Sequence, residues 1–256
     1  MTLRAENLSL GYHEHTVIKD LAIELKRGDM TTILGPNGCG KSTLLKALAR
    51  LVKPSNGRVT LDGRDVHALN SRALAREMAI LPQSPLAPEG ITVGDLVKRG
   101  RTPWRGFLSP WSEEDSQACS DALDAVGLAD MTDRPVQELS GGQRQRAWIA
   151  LVLAQSAPLL LLDEPTTYLD LVHQIDVLSL LHRRNVDDGL TVISVLHDLN
   201  LAARFSDTLI LLGHHGLVAI GTPEQVITPE NLEKSFSLKS KVVPDPVTGR
   251  PMVVPL

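Results

Sequence analysis

The residues with the clearest chemistry lie between positions 35 and 43: Gly35, Pro36, Asn37, Gly38, Cys39, Gly40, Lys41, Ser42 and Thr43. They fit the pattern G-x-x-x-x-G-K-[ST], in which glycines let backbone amides wrap a chain of phosphates. The run "STLLKALARL" predicts a helix, and its N-terminal end adds partial positive charge at the same place. Lys41 is then set to bridge the β- and γ-phosphates, and the Ser42 hydroxyl to sit on a Mg2+ ion. A nucleoside triphosphate is the ligand this loop is built for.

Two carboxylates supply the other half of that chemistry. Asp163 and Glu164 end a run of four leucines. Adjacent carboxylates at the end of a buried strand are costly unless a cation or hydrogen bonds receive them. Neighbouring strand residues point to opposite faces, so the two need different tasks. Asp163 is expected in the Mg2+ shell, and Glu164 as the general base that polarises the attacking water. Gln83, after "MAILP", and His197, ending "TVISVLH", occupy comparable places. Ligands of open α/β sheets lie beyond the carboxyl ends of strands, so Lys41, Gln83, Glu164 and His197 are expected on one rim. Taken singly, Gln83 is a loop residue and His197 a hydrogen-bonded core histidine. The pairs His13/His15 and His214/His215 lie in turn-like polar segments with no third ligand nearby in sequence, which suits surface histidines.

A second glycine-rich stretch, Leu139-Ser140-Gly141-Gly142-Gln143, also opens onto a helix-forming run. That too prepares a chain to hold a phosphate. Why one chain needs both is the main question its sequence raises.

The elements that must position these residues alternate short apolar runs with longer helical patterns. That alternation predicts an α/β fold with a mostly parallel sheet and crossover helices. "MTTILG" (30–35), "MAILP" (78–82), "LLLLDEP" (159–165) and "TVISVLH" (191–197) are apolar enough for strands buried on both faces. The N-terminal "LRAENLSLGY" and "LAIELKRGD" alternate instead, as antiparallel edge strands do. "VTLDGRDV" (59–66) predicts a hairpin turning at Asp62-Gly63. Residues from about 88 to 140 break the rhythm and predict a helical insert. Ser112 to Asp115 would cap a helix there, with Ala118, Ala122, Leu123 and Val126 on one face. Trp104, Phe107 and Trp111 crowd into the preceding loop, either as a small satellite core or as a docking patch. Thr222-Pro223-Glu224 and Thr228-Pro229-Glu230 announce two further helices in a C-terminal extension over 220–256. The whole of 1–256 is expected as one domain.

Composition narrows the classes. The chain is 43% hydrophobic and 22% charged, with a formal net charge of −4, so no nucleic-acid partner is indicated. Two cysteines, Cys39 and Cys119, suit free thiols in a reducing compartment. The N-terminus has no apolar core of the kind a secretory signal needs. The most apolar stretch, "AWIALVLAQSAPLLLL" (147–162), is interrupted by Gln155, Ser156 and Pro158. It predicts a buried helix, a turn and a buried strand, in a chain that is cytosolic or attached to a membrane only through a partner.

"GPNGCGKST", Gln83, "LSGGQ", "LLLLDEP", Asp170 and His197 together resemble, in order and spacing, the ATP-binding cassette (ABC) ATPases, over essentially the whole chain. "LSGGQ" is the most specific of these, because other phosphate-loop enzymes lack it. The resemblance implies a phosphate-loop core, an N-terminal antiparallel β subdomain and an inserted helical subdomain. It implies ATP and Mg2+, with Ser42, Gln83 and Asp163 on the metal, and Glu164, His197, Gln83 and Lys41 in the reaction. Gln143 and Asp170 would join the nucleotide site, and Tyr12 would stack on adenine. It also implies a head-to-tail dimer with a second copy, in which Ser140, Gly141 and Gly142 close on the γ-phosphate held by the partner's loop. Within the family, "DEPTTYLDLVHQIDVL", "LSGGQRQRAWIALVLAQ" and "VVPDPVTGRPMVVPL" resemble importer ATPases of the iron-siderophore and cobalamin group. That group implies import of a ferric siderophore across the bacterial inner membrane, driven by ATP-dependent closure of the dimer. The chain would sit peripherally on the cytoplasmic face, against membrane permease subunits and indirectly a periplasmic siderophore-binding protein. Tyr168 departs from the small residue or asparagine common in other cassettes. The alternatives are a soluble ABC ATPase of iron–sulfur cluster assembly and an importer ATPase for haem or cobalamin. A chromosome or DNA-repair cassette needs a long coiled coil, and no sustained heptads lie between Thr43 and Leu139.

Overall fold

The apolar runs become strands and the periodic runs helices. In the computed structural model, which describes residues 2–12, 15–106 and 109–256, the chain forms two units. One is Met1–Leu69 with Asn185–Leu256, the other Asn70–Arg184. The first begins with β1 (Thr2–Tyr12), β2 (His15–Lys26), β3 (Met30–Leu34), α1 (Lys41–Leu48), β4 (Asn56–Leu61) and β5 (Arg64–Asp65). The second has α2 (Ser71–Glu77), β6 (Met78–Leu81), α3 (Val93–Lys98), α4 (Glu113–Ala125), α5 (Gly141–Ala154) and β7 (Leu159–Asp163). It ends inside α6 (Leu171–Asp188). The chain then returns with β8 (Thr191–Val195), α7 (Leu199–Phe205), β9 (Thr208–Gly213), β10 (Gly216–Gly221), α8 (Pro223–Val226) and α9 (Pro229–Phe236). A hairpin, β11 (Ser240–Pro244) and β12 (Pro251–Pro255), closes it. The stretch 88–140 falls within the second unit, and 220–256 within the first.

In the first unit, β2-β1-β4-β5 form an antiparallel sheet. Its β4–β5 turn has Asp62 and Gly63 at φ 50° and 75°, the left-handed pair that a tight hairpin requires. The order β10-β9-β3-β8 follows in another sheet, with β3 parallel to both β8 and β9 and β10 antiparallel at the edge. Every residue of β3 and β8 is buried, polar ones included. Thr32 and Ser194 tolerate this because their hydroxyls bond each other at 3.0 Å and Ser206 Oγ donates to Thr32 at 2.7 Å.

In the second unit β6 and β7 pair in parallel, from Met78 opposite Leu159 to Leu81 opposite Leu162. The strands stop sooner than the apolar runs suggest. Pro82 has no N–H to continue the ladder, and Glu164 turns into the left-handed region at φ 55°. Helix α4 starts at Ser112 with a full capping box, Ser112 Oγ accepting from Asp115 N and Asp115 Oδ2 from Ser112 N. Its buried face differs from the expected one: Asp115 and Cys119 lie inside with Ala122 and Leu123, while Ala118 is only half-buried. Arg101, 2% exposed, is the reason. Its guanidinium donates to Asp115 Oδ1 at 2.8 Å, to Ala154 O at 3.0 Å and to Ser156 Oγ at 3.1 Å. Removing either ion partner would leave a buried charge with only a longer contact, Glu114 at 3.7 Å for Arg101 or Arg105 at 3.9 Å for Asp115, a loss of up to about 3–5 kcal/mol. Trp104 and Trp111, 38% and 36% exposed, are held by their own unit. Trp104 Nε1 donates to Gln155 O at 2.7 Å, and Arg76 and Arg101 stack on its ring. Trp111 Nε1 donates to Ser116 Oγ at 2.7 Å under Arg105. Phe107 and His13 lie outside the described residues.

Candidate functional site

The phosphate loop is shaped by glycines at positions where a side chain would strain the backbone or clash. Gly35, at φ 151°, has room for no Cβ, which would meet Cys39 Sγ and Leu212 O at 2.6 Å. A Cβ on Gly40, at φ 101°, would lie 2.6 Å from Val17. Gly40 also stands at the N-cap of α1 without any side-chain cap, so the helix begins with amides turned to the loop rather than to a side chain. Lys41 is buried, and its ammonium donates to Gly35 O at 2.8 Å and Pro36 O at 3.0 Å, curling over the loop's own carbonyls. Cys39 is buried too; burial pushes its thiol up, against a smaller pull from Lys41. β3 and β8 are in register from Met30 opposite Val192 to Ile33 opposite Val195, and Leu196 N donates to Ile33 O. Carrying that register two residues on brings His197 level with Gly35, at the same strand end. His197 is exposed there, unlike a core histidine. Asp198 caps the next helix, accepting from Leu201 N.

The second unit repeats the arrangement. Two residues beyond the Leu81–Leu162 pair, the β6–β7 register brings Gln83 level with Glu164. Gln83 is exposed, whereas Asp163 and Glu164 are both buried. The expectation that the two carboxylates face apart as strand neighbours gives way here: Glu164 has left the strand, and its Oε2 accepts from Thr167 Oγ1 at 3.1 Å. A non-glycine residue at positive φ is strained backbone, of the kind that clusters at working sites. Asp170 accepts from His173 N at 3.0 Å, starting α6. Tyr168, also at positive φ (67°), is 79% exposed.

Ser140 caps α5 with a reciprocal box: its Oγ accepts from Gln143 N at 3.2 Å, and Gln143 Oε1 from Ser140 N at 3.1 Å. Leu139 anchors the turn from inside, while Ser140 and Gly141 are exposed. A Cβ on Gly141 would lie 3.8 Å from Tyr168, and one on Gly142 3.3 Å from Leu169. The second glycine-rich end and the segment after Glu164 are therefore neighbours within one unit. The backbone of Tyr12 ends β1.

The family profile described as ABC transporter matches residues 18–167. The chain belongs to the ABC transporter family. It is 48% identical to the ferric enterobactin transport ATP-binding protein FepC of Escherichia coli over 254 residues, 99% of this chain and 94% of that protein. It is 45% identical to the iron(3+)-hydroxamate import ATP-binding protein FhuC of Bacillus subtilis, covering 98% and 93%. Among solved structures it is similar to a metal-chelate type ABC transporter in an inward-facing conformation, with TM-score 0.85, 31% identity and coverage of 100% and 97%. It is also similar to a dimeric post-hydrolysis cassette bound to ADP and Pi, with TM-score 0.76, 28% identity and coverage of 86% and 98%. Among the described residues no helix is long and apolar enough to cross a membrane.

The ABC motifs are explicit in consecutive residues; the buried polar residues Gln145 and Arg101 are not. Gln145, 8% exposed, donates from Nε2 to Pro165 O at 3.0 Å. Arg101 was equally invisible. Two positions further along α5 than Gln143, Gln145 carried one available signal: an amide falling on the apolar side of a helix.

Proposed function

We propose that the chain is the ATP-hydrolysing subunit of an importer for ferric siderophores, working as a head-to-tail dimer on the cytoplasmic face of the bacterial inner membrane. Its partners are membrane permease subunits and, through them, a periplasmic siderophore-binding protein. The observation that carries this reading is a likeness to iron-importer ATP-binding proteins that runs the full length of the chain, beyond the family-matched core.

Each residue then has a task. The amides from Gly38 to Thr43 and the Lys41 ammonium hold the β- and γ-phosphates, with Tyr12 on the adenine. Ser42, Gln83 and Asp163 would offer hydroxyl, amide carbonyl and carboxylate oxygens, donors that suit Mg2+ rather than a softer metal. Bound there, the ion neutralises phosphate charge. Glu164 takes a proton from the attacking water as its oxygen bonds the γ-phosphorus and the β–γ bridging oxygen leaves with ADP. His197 and Gln83 orient the γ-phosphate and the water, and Asp170 steadies the same region. Ser140, Gly141, Gly142 and Gln143 close over the partner copy's γ-phosphate. Only an intact γ-phosphate joins the halves, so hydrolysis releases them, and the alternation shifts the permease between states.

Glu164→Gln tests the chemistry: ATP binding should persist while turnover falls about 10²–10⁴-fold. Unchanged steady-state hydrolysis removes Glu164 from the mechanism. Loss of ferric-siderophore uptake in cells carrying this variant, with uptake of other nutrients intact, tests the substrate.

A further inference from the structure

The segment that carries Glu164 is tied to the helix that starts at Ser140 by one buried side chain. Gln145 lies on the inner side of α5, one turn past the Ser140 cap. Its Nε2 donates to the carbonyl of Pro165, the residue next to Glu164. Downstream, the same segment is folded on itself: Thr167 N donates to Glu164 O at 3.2 Å, Thr167 Oγ1 to Glu164 Oε2 at 3.1 Å, and Leu169 N to Thr166 O at 3.3 Å. The glycines of the Ser140 end face its far side, where an added Cβ would lie 3.8 Å from Tyr168 and 3.3 Å from Leu169. Glu164 holds positive φ in the middle of this fastening. A strained residue keeps its conformation only when its surroundings over-determine it. Gln145 is a fastening that comes from another element.

We infer that Gln145 is a positioning residue for Glu164: its amide fixes the Glu164–Pro165 peptide to α5, so that the helix reaching one nucleotide sets the base acting on the other. This rests on Glu164 being the general base. Any shift of the Ser140 end on meeting a partner's γ-phosphate moves α5 along its axis, and the Gln145–Pro165 bond passes that shift to the carboxylate. The coupling needs no contact between Gln145 and substrate.

The test is a cycle of variants in the full chain, with Mg2+–ATP as the probe. Gln145→Met fills the same space without a donor, and Gln145→His restores an N–H at comparable reach. Gln145→Met is expected to lower kcat about tenfold while leaving KM for ATP unchanged, since misplacing a base costs less than removing it. Gln145→His should recover most of the loss. In single-turnover assays on Glu164→Gln, adding Gln145→Met should slow hydrolysis no further, because the path through Glu164 is already cut. ATP trapping in that background should be the same with and without Gln145→Met. An unchanged kcat in Gln145→Met, or a loss that multiplies onto Glu164→Gln, overturns the inference. Should Gln145→Met fail to fold, Gln145→His against Gln145→Glu carries the same cycle, the first expected active and the second slow. Hydrolysis by Glu164→Gln at the wild-type rate would instead remove the base itself, a distinguishable failure.

Discussion

The two glycine-rich helix starts of this chain look alike in sequence and differ in construction. In the first, Gly35, Gly38 and Gly40 hold positive φ, the helix has no side-chain cap, and a buried lysine lies across the loop. In the second, Gly141 and Gly142 have ordinary backbone angles, Ser140 and Gln143 cap their own helix, and the surface is open. The first uses glycine for conformations other residues cannot hold, and brings its own charge. The second uses glycine for a bare surface beside Tyr168 and Leu169, with the amides of Ser140 and Gln143 taken up by the cap. On the proposed function, one grips a triphosphate by itself and the other is approached by a second copy. That division would explain why a single chain carries both.

The comparison breaks first at the charged residues. Lys41→Ala should weaken ATP binding by the isolated chain about ten- to hundredfold, the value of a hydrogen bond to a charged group. Ser140→Arg should leave that binding unchanged and lower turnover about 10²–10³-fold, as loss of a transition-state donor does. Equilibrium binding measured beside steady-state hydrolysis separates the two, and weakened binding in Ser140→Arg would erase the distinction.

Glycine replacements sharpen it at smaller scale. In Gly35→Ala the new Cβ meets the backbone oxygen of Leu212 at positive φ. A cost of about 1–3 kcal/mol is expected, lowering the melting midpoint by about 5 °C. In Gly141→Ala the nearest atoms lie at ordinary contact distance, 3.8 Å. Its stability should change by no more than about 0.5 kcal/mol, while turnover falls. Thermal unfolding with hydrolysis on both variants checks this; equal destabilisation would mean the second loop is as constrained as the first.

The two thiols give the finest contrast. Cys39 and Cys119 are both buried, and burial pushes both thiols up, against weaker pulls from Lys41 and Arg101 respectively. Both should therefore alkylate slowly at neutral pH and faster as pH rises toward the raised values. Mg2+–ATP should slow Cys39 alone, because only it sits inside the phosphate loop. Mass spectrometry of partially labelled protein would report the two rates, and protection of both would argue against a local effect.

What could be foreseen follows the same division. Both loops, the hairpin at Asp62-Gly63 and the cap at Ser112 are written in consecutive residues, and their local chemistry is legible without tertiary structure. Strand ends at Gln83, Glu164 and His197 were legible as positions because buried apolar runs stop there. Conformation at those ends was not: the left-handed turn at Glu164 is bonded by Thr167, and the next carbonyl, of Pro165, meets Gln145 from 20 residues away. Arg101 and Asp115 are 14 residues apart, and nothing in their local sequence tells that the fold buries them together. Their burial moved the inner face of α4 from Ala118 to Cys119. Polar residues whose partners are distant carry little local signal beyond falling on an apolar face.

The central claim is that the Ser140 end serves a nucleotide held by another copy. It is tested by mixing two defective chains, Lys41→Ala and Ser140→Arg, both in the Glu164→Gln background to prevent turnover, and purifying the mixed dimers. If each loop works across the dimer, one site carries both defects and the other is intact, so mixed dimers should trap one ATP while neither parent traps any. If both loops of a chain acted on the same nucleotide, every site would be damaged, and mixed dimers trapping no more than the parents would contradict the account.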